Sequence, residues 1–191
     1  MKITPVPHGL NLALSTAPRT AGLHMSDLYN SLYQELEPKR YVKGSAPDKL
    51  RMEAGLALEE VLEEGLKRRL GERPGEFVTK DEGIIFTPDL IIYETVTRLG
   101  EIKLTWMSSR DVPRVSATAF HPKFAKYLTQ MKCYGHHLEL PQQRLLAFFV
   151  NGDYRPPRPE LLAWDIEFTA REMRDEWTMV KNHGKHAGLI V

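Results

Sequence analysis

The sequence predicts a single α/β domain: a central mixed β-sheet with helices packed on its faces. Hydrophobic periodicity switches between helical and alternating along the chain, in the order helix, helix, three or four strands, helix, strand, strand, helix. The length of 191 residues, with 42% hydrophobic and 27% charged residues, suits one soluble domain. A chain of that size removes roughly 70% of its unfolded surface on folding. No repeat or low-complexity segment competes with this reading.

Residues 1–24 are rich in Pro, Ser, Thr and Gly without sustained periodicity and read as an irregular arm, leaving 25–191 as the domain. Residues 26–36 place Leu28, Leu32, Tyr33 and Leu36 at helical spacing, and Pro38 ends that helix. The next helix spans about 47–70. Ser45 suits its N-cap, Pro47 its first turn and Gly71 the position just past its end. Its apolar stripe is Leu50, Ala54, Leu58, Val61, Leu62 and Leu66. Beyond Gly75, short strands are expected at 77–80, 83–87, 90–95 and 98–105, with turns at Gly100 and around Val96–Thr97. A polar loop at 106–121 leads into a helix over 122–138. The apolar run 145–150 reads as a strand buried on both faces. Asn151–Asp153 turns the chain, prolines 156, 157 and 159 stiffen the connector, and 161–168 is the last strand. Thr169 and Glu172 form a capping box that starts the final helix, with a frayed tail from His183.

Net charge is +1, from 26 basic and 25 acidic side chains, which excludes a polybasic nucleic-acid binder but not a local basic groove. The single cysteine, Cys133, cannot form an internal disulfide, a four-cysteine zinc site or a cysteine-ligated iron–sulfur cluster, and reads as a small core residue. No apolar run approaches the roughly 20 residues of a membrane span, and Pro5, Pro7 and His8 break any secretory signal. A reducing, cytoplasmic setting is expected. His183 and His186 lack a third zinc ligand, and no phosphate-cradling glycine loop is present.

Chemistry concentrates around the predicted strands. Chance alone supplies about one Glu-x-Lys triplet in a chain with 17 Glu and 12 Lys, and Glu37–Pro38–Lys39 is such a case. Glu101-x-Lys103 differs because it lies within a strand, where residues two apart share a face. Asp89 begins the preceding strand, so a hairpin brings its carboxylate beside Glu101. Two carboxylates with the Ile102 carbonyl between them make a hard-cation site suited to Mg²⁺ or Mn²⁺. Lys103 beside them can orient a water for phosphodiester hydrolysis. The competing reading is a surface strand edge with a turn Asp. Glu59 lies on the apolar side of the long helix and needs a partner, either a metal with its water shell or an arginine. Gln130 and Tyr134 share one helix edge, where an amide and a phenol can bind a phosphate oxygen or a base edge, or simply sit half-buried.

The ordered set Gly55-x-x-x-Glu59, Pro88–Asp89, Glu101-x-Lys103 and Gln130-x-x-x-Tyr134 resembles the PD-(D/E)XK nuclease superfamily over about residues 50–150. Its Gln-x-x-x-Tyr element looks most like the RecB-like and phage exonuclease branches. The resemblance implies a restriction-endonuclease-like core. It implies Asp89, Glu101 and the Ile102 carbonyl as ligands of Mg²⁺ or Mn²⁺, and Lys103 as the residue positioning the attacking water. Glu59 would hold the metal or its water, and Gln130 and Tyr134 would contact DNA near the scissile phosphate. Two departures stand out: the long helix has no histidine near Glu59, and the cysteines of cluster-bearing relatives are missing. The closest analogy is therefore to cluster-free nucleases of bacteria or phages.

Arg98, Arg110, Arg114, Lys123 and Lys126, with Lys39, Arg40 and Lys43, can line a groove for the phosphate backbone. Trp106 and Phe120 bracket the loop and either stack on an unpaired base or anchor in the core. The expected function is a divalent-metal-dependent deoxyribonuclease, an exonuclease of recombination, repair or replication. It would act as a homo-oligomer or with a recombination or replication partner protein. The alternatives are an endonuclease of the same superfamily and a catalytically silent DNA-binding module. An acid/base pair acting on sugars would leave Lys103 without a role.

Overall fold

The computed structural model describes residues 20–38, 53–62, 64–65, 71–80, 82–113, 120–150 and 159–190. The arm before residue 20, the Ser45 and Pro47 cap, Leu50, Leu66, Arg114, the turn at 151–153 and Lys39, Arg40 and Lys43 lie outside them.

The chain forms one α/β domain built on a five-stranded mixed sheet. Its strands are β1 (Gly71–Glu72), β4 (Leu90–Tyr93), β5 (Thr97–Thr105), β6 (Gln142–Phe149) and β7 (Glu160–Glu167), in the order β1-β4-β5-β6-β7. Only β5 and β6 run parallel. A separate hairpin pairs β2 (Phe77–Val78) with β3 (Ile85–Phe86). The helices are α1 (Met25–Leu36), α2 (described over 53–62 and 64–65), α3 (Ala125–Leu138) and α4 (Ala170–His186).

Helices cover both faces of the sheet. On one face, Leu99 of β5 joins α1, α3 and α4 in a core of Met25, Leu28, Tyr33, Phe86, Trp177 and Val180. Beside it Leu145, Ala147 and Phe149 of β6 pack under Phe124, Met131 and Met173. On the other face, Leu62 of α2 packs on Leu90, Ile92, Ile102 and Leu146. β6 is buried on both sides, as its unbroken apolar run requires.

A polar knot ties the three helices of the first face. The Tyr33 hydroxyl lies 3.1 Å from Thr129 Oγ1, Thr129 donates to Glu176, and Lys132 pairs with Glu176 at 2.9 Å. This fixes α3 over β5. The capping box at Thr169 forms as expected, with the Glu172 N–H donating to Thr169 Oγ1 at 3.1 Å and the Thr169 N–H to Glu172 Oε2 at 2.8 Å.

Several expectations need correction. Gly100 is no turn. It sits inside β5 opposite Leu90, where a Cβ would come within 3.0 Å of Leu90 Cβ and 3.1 Å of Ile92 Cδ1. The bend at 94–96 alone reverses the chain. β1 occupies a place read as punctuation, and β2 and β3 are shorter than expected. On α2, Leu58 and Val61 are exposed, so the stripe narrows to Leu62 among the described residues. On α1, Leu36 is exposed and Met25 and Tyr29 are buried instead. The tail does not fray at His183. That ring lies 2.9 Å from Ser31 Oγ and 3.3 Å from Glu35, and α4 continues to His186.

Gly135 of α3 sits where a Cβ would lie 2.1 Å from Gln143 Nε2 and 2.9 Å from the Leu140 carbonyl. Gln143 is fully buried and donates to the Met131 and Leu140 carbonyls at 2.9 and 3.1 Å. A methyl group there overpacks the α3–β6 contact and displaces those bonds. Gly135→Ala is therefore expected to cost about 1–3 kcal/mol, a fall of roughly 2–10 °C in Tm by calorimetry. An unchanged Tm would contradict this packing.

Candidate active site

The site grows from an interruption in the sheet. β5 pairs with β6 along seven residue pairs, Leu99 to Thr105, but with β4 only as far as Leu90↔Gly100. Past that pair the β4-side edge of β5 is open, and its N–H groups need acceptors. Carboxylates provide them. The Ile102 N–H donates to Asp89 Oδ2 at 2.7 Å, and the Leu104 N–H donates to Glu59 Oε1 at 3.1 Å. Because a strand residue presents its N–H and C=O to the same edge, the Ile102 carbonyl faces this opening too.

Alternation then sets the side chains. Glu101 and Lys103 fall on the face covered by α1 and α3, as expected. The Lys103 ammonium lies 2.6 Å from Glu101 Oε1 and 3.6 Å from Asp89 Oδ2. Glu101 is fully buried, and despite the short ion pair neither of its oxygens has a well-angled hydrogen bond. Burial and the nearby Asp89 charge push its carboxyl from 4.5 up to about 8. Glu59 is also raised, chiefly by burial. Burial works to lower Lys103, but Asp89, Glu101 and Glu59 together outweigh it and hold the ammonium well above the usual lysine range.

Above Lys103 opens a cavity of about 350 Å³, lined in part by Tyr29, Gly55, Glu59, Lys126, Tyr127 and Gln130. Lys126 stands over the Tyr29 ring, 5.1 Å from its centre. Gln130 thus reaches the cavity, whereas Tyr134 sits behind the site in the core, against Phe86 and the Thr87 backbone. Lys123 lines a second cleft beside the first. Arg110 is exposed on a short turn, Ser109–Asp111. Arg98 does not face the site. It joins Glu94, Asp165 and Arg144 in an ion-pair network on the opposite face of the sheet. Of the loop aromatics, Phe120 packs on Phe124 and Trp164, while Trp106 is 55% exposed.

Tyr29 is the site residue that sequence reasoning missed. Its signal was present, since Met25, Tyr29 and Tyr33 recur every fourth residue. Burial raises its hydroxyl far above the tyrosine range, and Lys103 and the three carboxylates all act on it.

The donor set is hard and oxygen-rich. Among the described residues no group of three or more His, Cys, Asp or Glu side chains forms a metal cage. Glu59 is turned to the Leu104 N–H, leaving Asp89, Glu101 and the Ile102 carbonyl around the opening. Two carboxylates, one of them buried with both oxygens poorly satisfied, fit a small divalent cation that keeps several waters. Among the described residues no helix is long and apolar enough to cross a membrane.

No protein-family model matches the sequence, and no curated protein matches it. Among solved structures, the crystal structure of SSO0001 is similar with a TM-score of 0.48 and 16% identity, covering 87% of this chain and 78% of that chain.

The raised Glu101 carboxyl has a consequence for the metal-free protein. Between about pH 4.5 and pH 8 the folded chain holds a proton that the unfolded chain has released, so stability falls as pH rises through that window. Glu101→Gln removes this share of the slope. Urea midpoints measured across the window with a chelator present are expected to fall less with pH in the variant. Equal slopes in the two proteins would refute the assignment.

Proposed function

We propose that the protein is a Mg²⁺- or Mn²⁺-dependent deoxyribonuclease of the PD-(D/E)XK type, acting as an exonuclease in DNA recombination, repair or replication. The observation that supports it is the meeting of Asp89, Glu101 and Lys103 at one open strand edge, beneath a cavity lined by Gln130 and Lys126.

Asp89, Glu101 and the Ile102 carbonyl would hold the ion. It would supply positive charge to the phosphate and make water a better nucleophile at neutral pH. The chain's own residues do the rest. Asp89 is held in place by the Ile102 N–H, so its position follows the strand. Lys103 reaches both the carboxylates and the cavity, where its ammonium can hold the attacking water and a phosphate oxygen. The water oxygen gives up a proton to solvent and bonds to phosphorus as the bond to the departing sugar oxygen breaks, and that sugar oxygen takes up a proton from solvent. Gln130 can donate to a non-bridging oxygen, and Lys126 and Lys123 can meet flanking phosphates. Glu59 holds the Leu104 N–H, keeping the edge open without another strand. Phosphate contacts read no sequence, which favours an exonuclease over a site-specific endonuclease.

The test is a time course on end-labelled linear, circular and single-stranded DNA with Mg²⁺ or Mn²⁺. Linear DNA is expected to disappear while circles stay intact. Asp89→Ala and Lys103→Ala are each expected to lose at least about 10²-fold in rate. Both variants degrading DNA as fast as the parent would sink the proposal. Opening of circles at the linear rate would replace the exonuclease mode with an endonuclease. Metal-independent binding without cleavage of any form would point to a silent DNA-binding module.

A further inference from the structure

Of the three tryptophans, two are structural. Trp177 is 6% exposed against His137 and Phe86, and Trp164 packs on Phe120, Phe124 and Phe149 while donating to the Pro113 carbonyl at 3.0 Å. Trp106 is different. It follows directly on β5, three residues after Lys103, and leaves 55% of its surface to solvent. With Tyr127 it lines two hollows, the 350 Å³ cavity above Lys103 and a second cleft of about 260 Å³. Thr105, Met107, Phe124 and Tyr127 line that second cleft, with exposed Lys123 among them. The structure therefore sets a flat indole, a cleft of mixed polar and apolar lining and ammonium groups side by side next to the candidate active site.

We infer that Trp106 is a stacking platform for an unpaired base of the substrate strand, with the cleft beside it receiving that base and Lys123 and Lys126 meeting the phosphates on either side. The inference rests on the nuclease reading for its substrate and adds to it a preference for single-stranded ends. Charge and shape both favour this occupant. An indole face binds any base, because every base has a π-face, and ammonium groups beside it match a phosphodiester chain. A base inside a duplex already has both faces covered by its neighbours, so a blunt duplex offers Trp106 only the outer faces of its terminal pairs. A strand whose scissile phosphate lies over Lys103 would bring an adjoining nucleotide to Trp106, which with Tyr127 lines both hollows. Phe120, the other aromatic of this loop, is committed to the core and cannot share the role.

Binding can be measured apart from cleavage. Fluorescence anisotropy in a chelator follows a labelled oligothymidylate and a blunt duplex of two separate strands. Trp106→Ala is expected to bind the oligothymidylate roughly 5- to 150-fold more weakly, the equivalent of ~1–3 kcal/mol for one stacked base, with duplex affinity changed less than about twofold. Trp106→Phe, which keeps an aromatic face, is expected to retain most of the affinity. Unchanged oligothymidylate binding in Trp106→Ala, an equal loss on the duplex, or a Trp106→Phe variant as weak as the alanine form would each overturn the inference. The two readings fail separately. A chain that cleaves nothing yet binds oligothymidylate through Trp106 keeps the platform and loses the nuclease, and the opposite result keeps the nuclease and loses the platform.

Discussion

The open edge of β5 is the constraint on which the rest of the molecule depends. A strand in mid-sheet normally satisfies its backbone on both sides. Here β4 stops pairing at Leu90, and β5 continues through Leu104 with its β4-side N–H groups exposed to whatever lies there. Unpaired N–H groups in a half-buried setting are costly, and a carboxylate is the strongest acceptor available. Asp89 and Glu59 take those positions, one at the hairpin start and one on α2. The bond that repairs the sheet at Ile102 also holds Asp89 beside Glu101 and Lys103. Structure and proposed chemistry share a single cause.

That arrangement concentrates charge that the protein does not itself balance. Asp89, Glu101 and Glu59 face the Lys103 ammonium, and burial penalises the ionised forms of Glu101 and Glu59. Protons or a cation must supply the difference. Lys103 does part of this work, lying against Glu101 and near Asp89. An ammonium that occupies the carboxylates yet also lines the open cavity is placed to exchange one role for the other. It can neutralise the pocket when no cation is there and turn to a phosphate oxygen when one is.

Much of this was legible in the sequence, and the failures have physical reasons. Alternation placed Glu101 and Lys103 on one face, and a two-strand reading of 90–105 brought Asp89 to them. Both follow from the period of a strand and need no tertiary information. Gly100 was misread because a glycine that relieves crowding against Leu90 and Ile92 looks, in sequence, like a glycine that turns the chain. The stripe on α2 was overdrawn because periodicity gives the side of a helix but not how much of that side the sheet covers. Arg98 was placed in the groove by proximity in sequence, although as an even-numbered residue of β5 it shares a face with Gly100 and Ile102, away from Glu101. Trp106 and Phe120 could not be told apart at all. Phe120 is anchored by Trp164, which comes from β7, far along the chain, and no such partner is legible from the loop's own sequence.

The parity of β5 carries a last consequence. Its odd residues, Leu99, Glu101 and Lys103, build the site face, and Arg98 and Ile102 build the face that holds Leu62 and the ion-pair network. A slip of one residue would exchange the two sets, putting Gly100 or Ile102 in the place of Glu101 and turning Arg98 to the face covered by α1 and α3. Register is therefore the quantity the fold must protect, and β4 fixes it only as far as Leu90↔Gly100, so past that pair another strand must hold it. The task falls to β6. Its parallel ladder runs unbroken from Leu99↔Gln143 to Thr105↔Phe149, and the side chains of Leu145, Ala147 and Phe149 lock it under α3. On the opposite face Arg144 of β6 binds Asp165 of β7 at 2.6 Å and Glu94 of the β4–β5 bend at 2.7 Å, so one guanidinium clamps three strands in phase. The long apolar run of β6 looks unrelated to function when taken alone. It is what allows β5 to leave one edge open without losing its place.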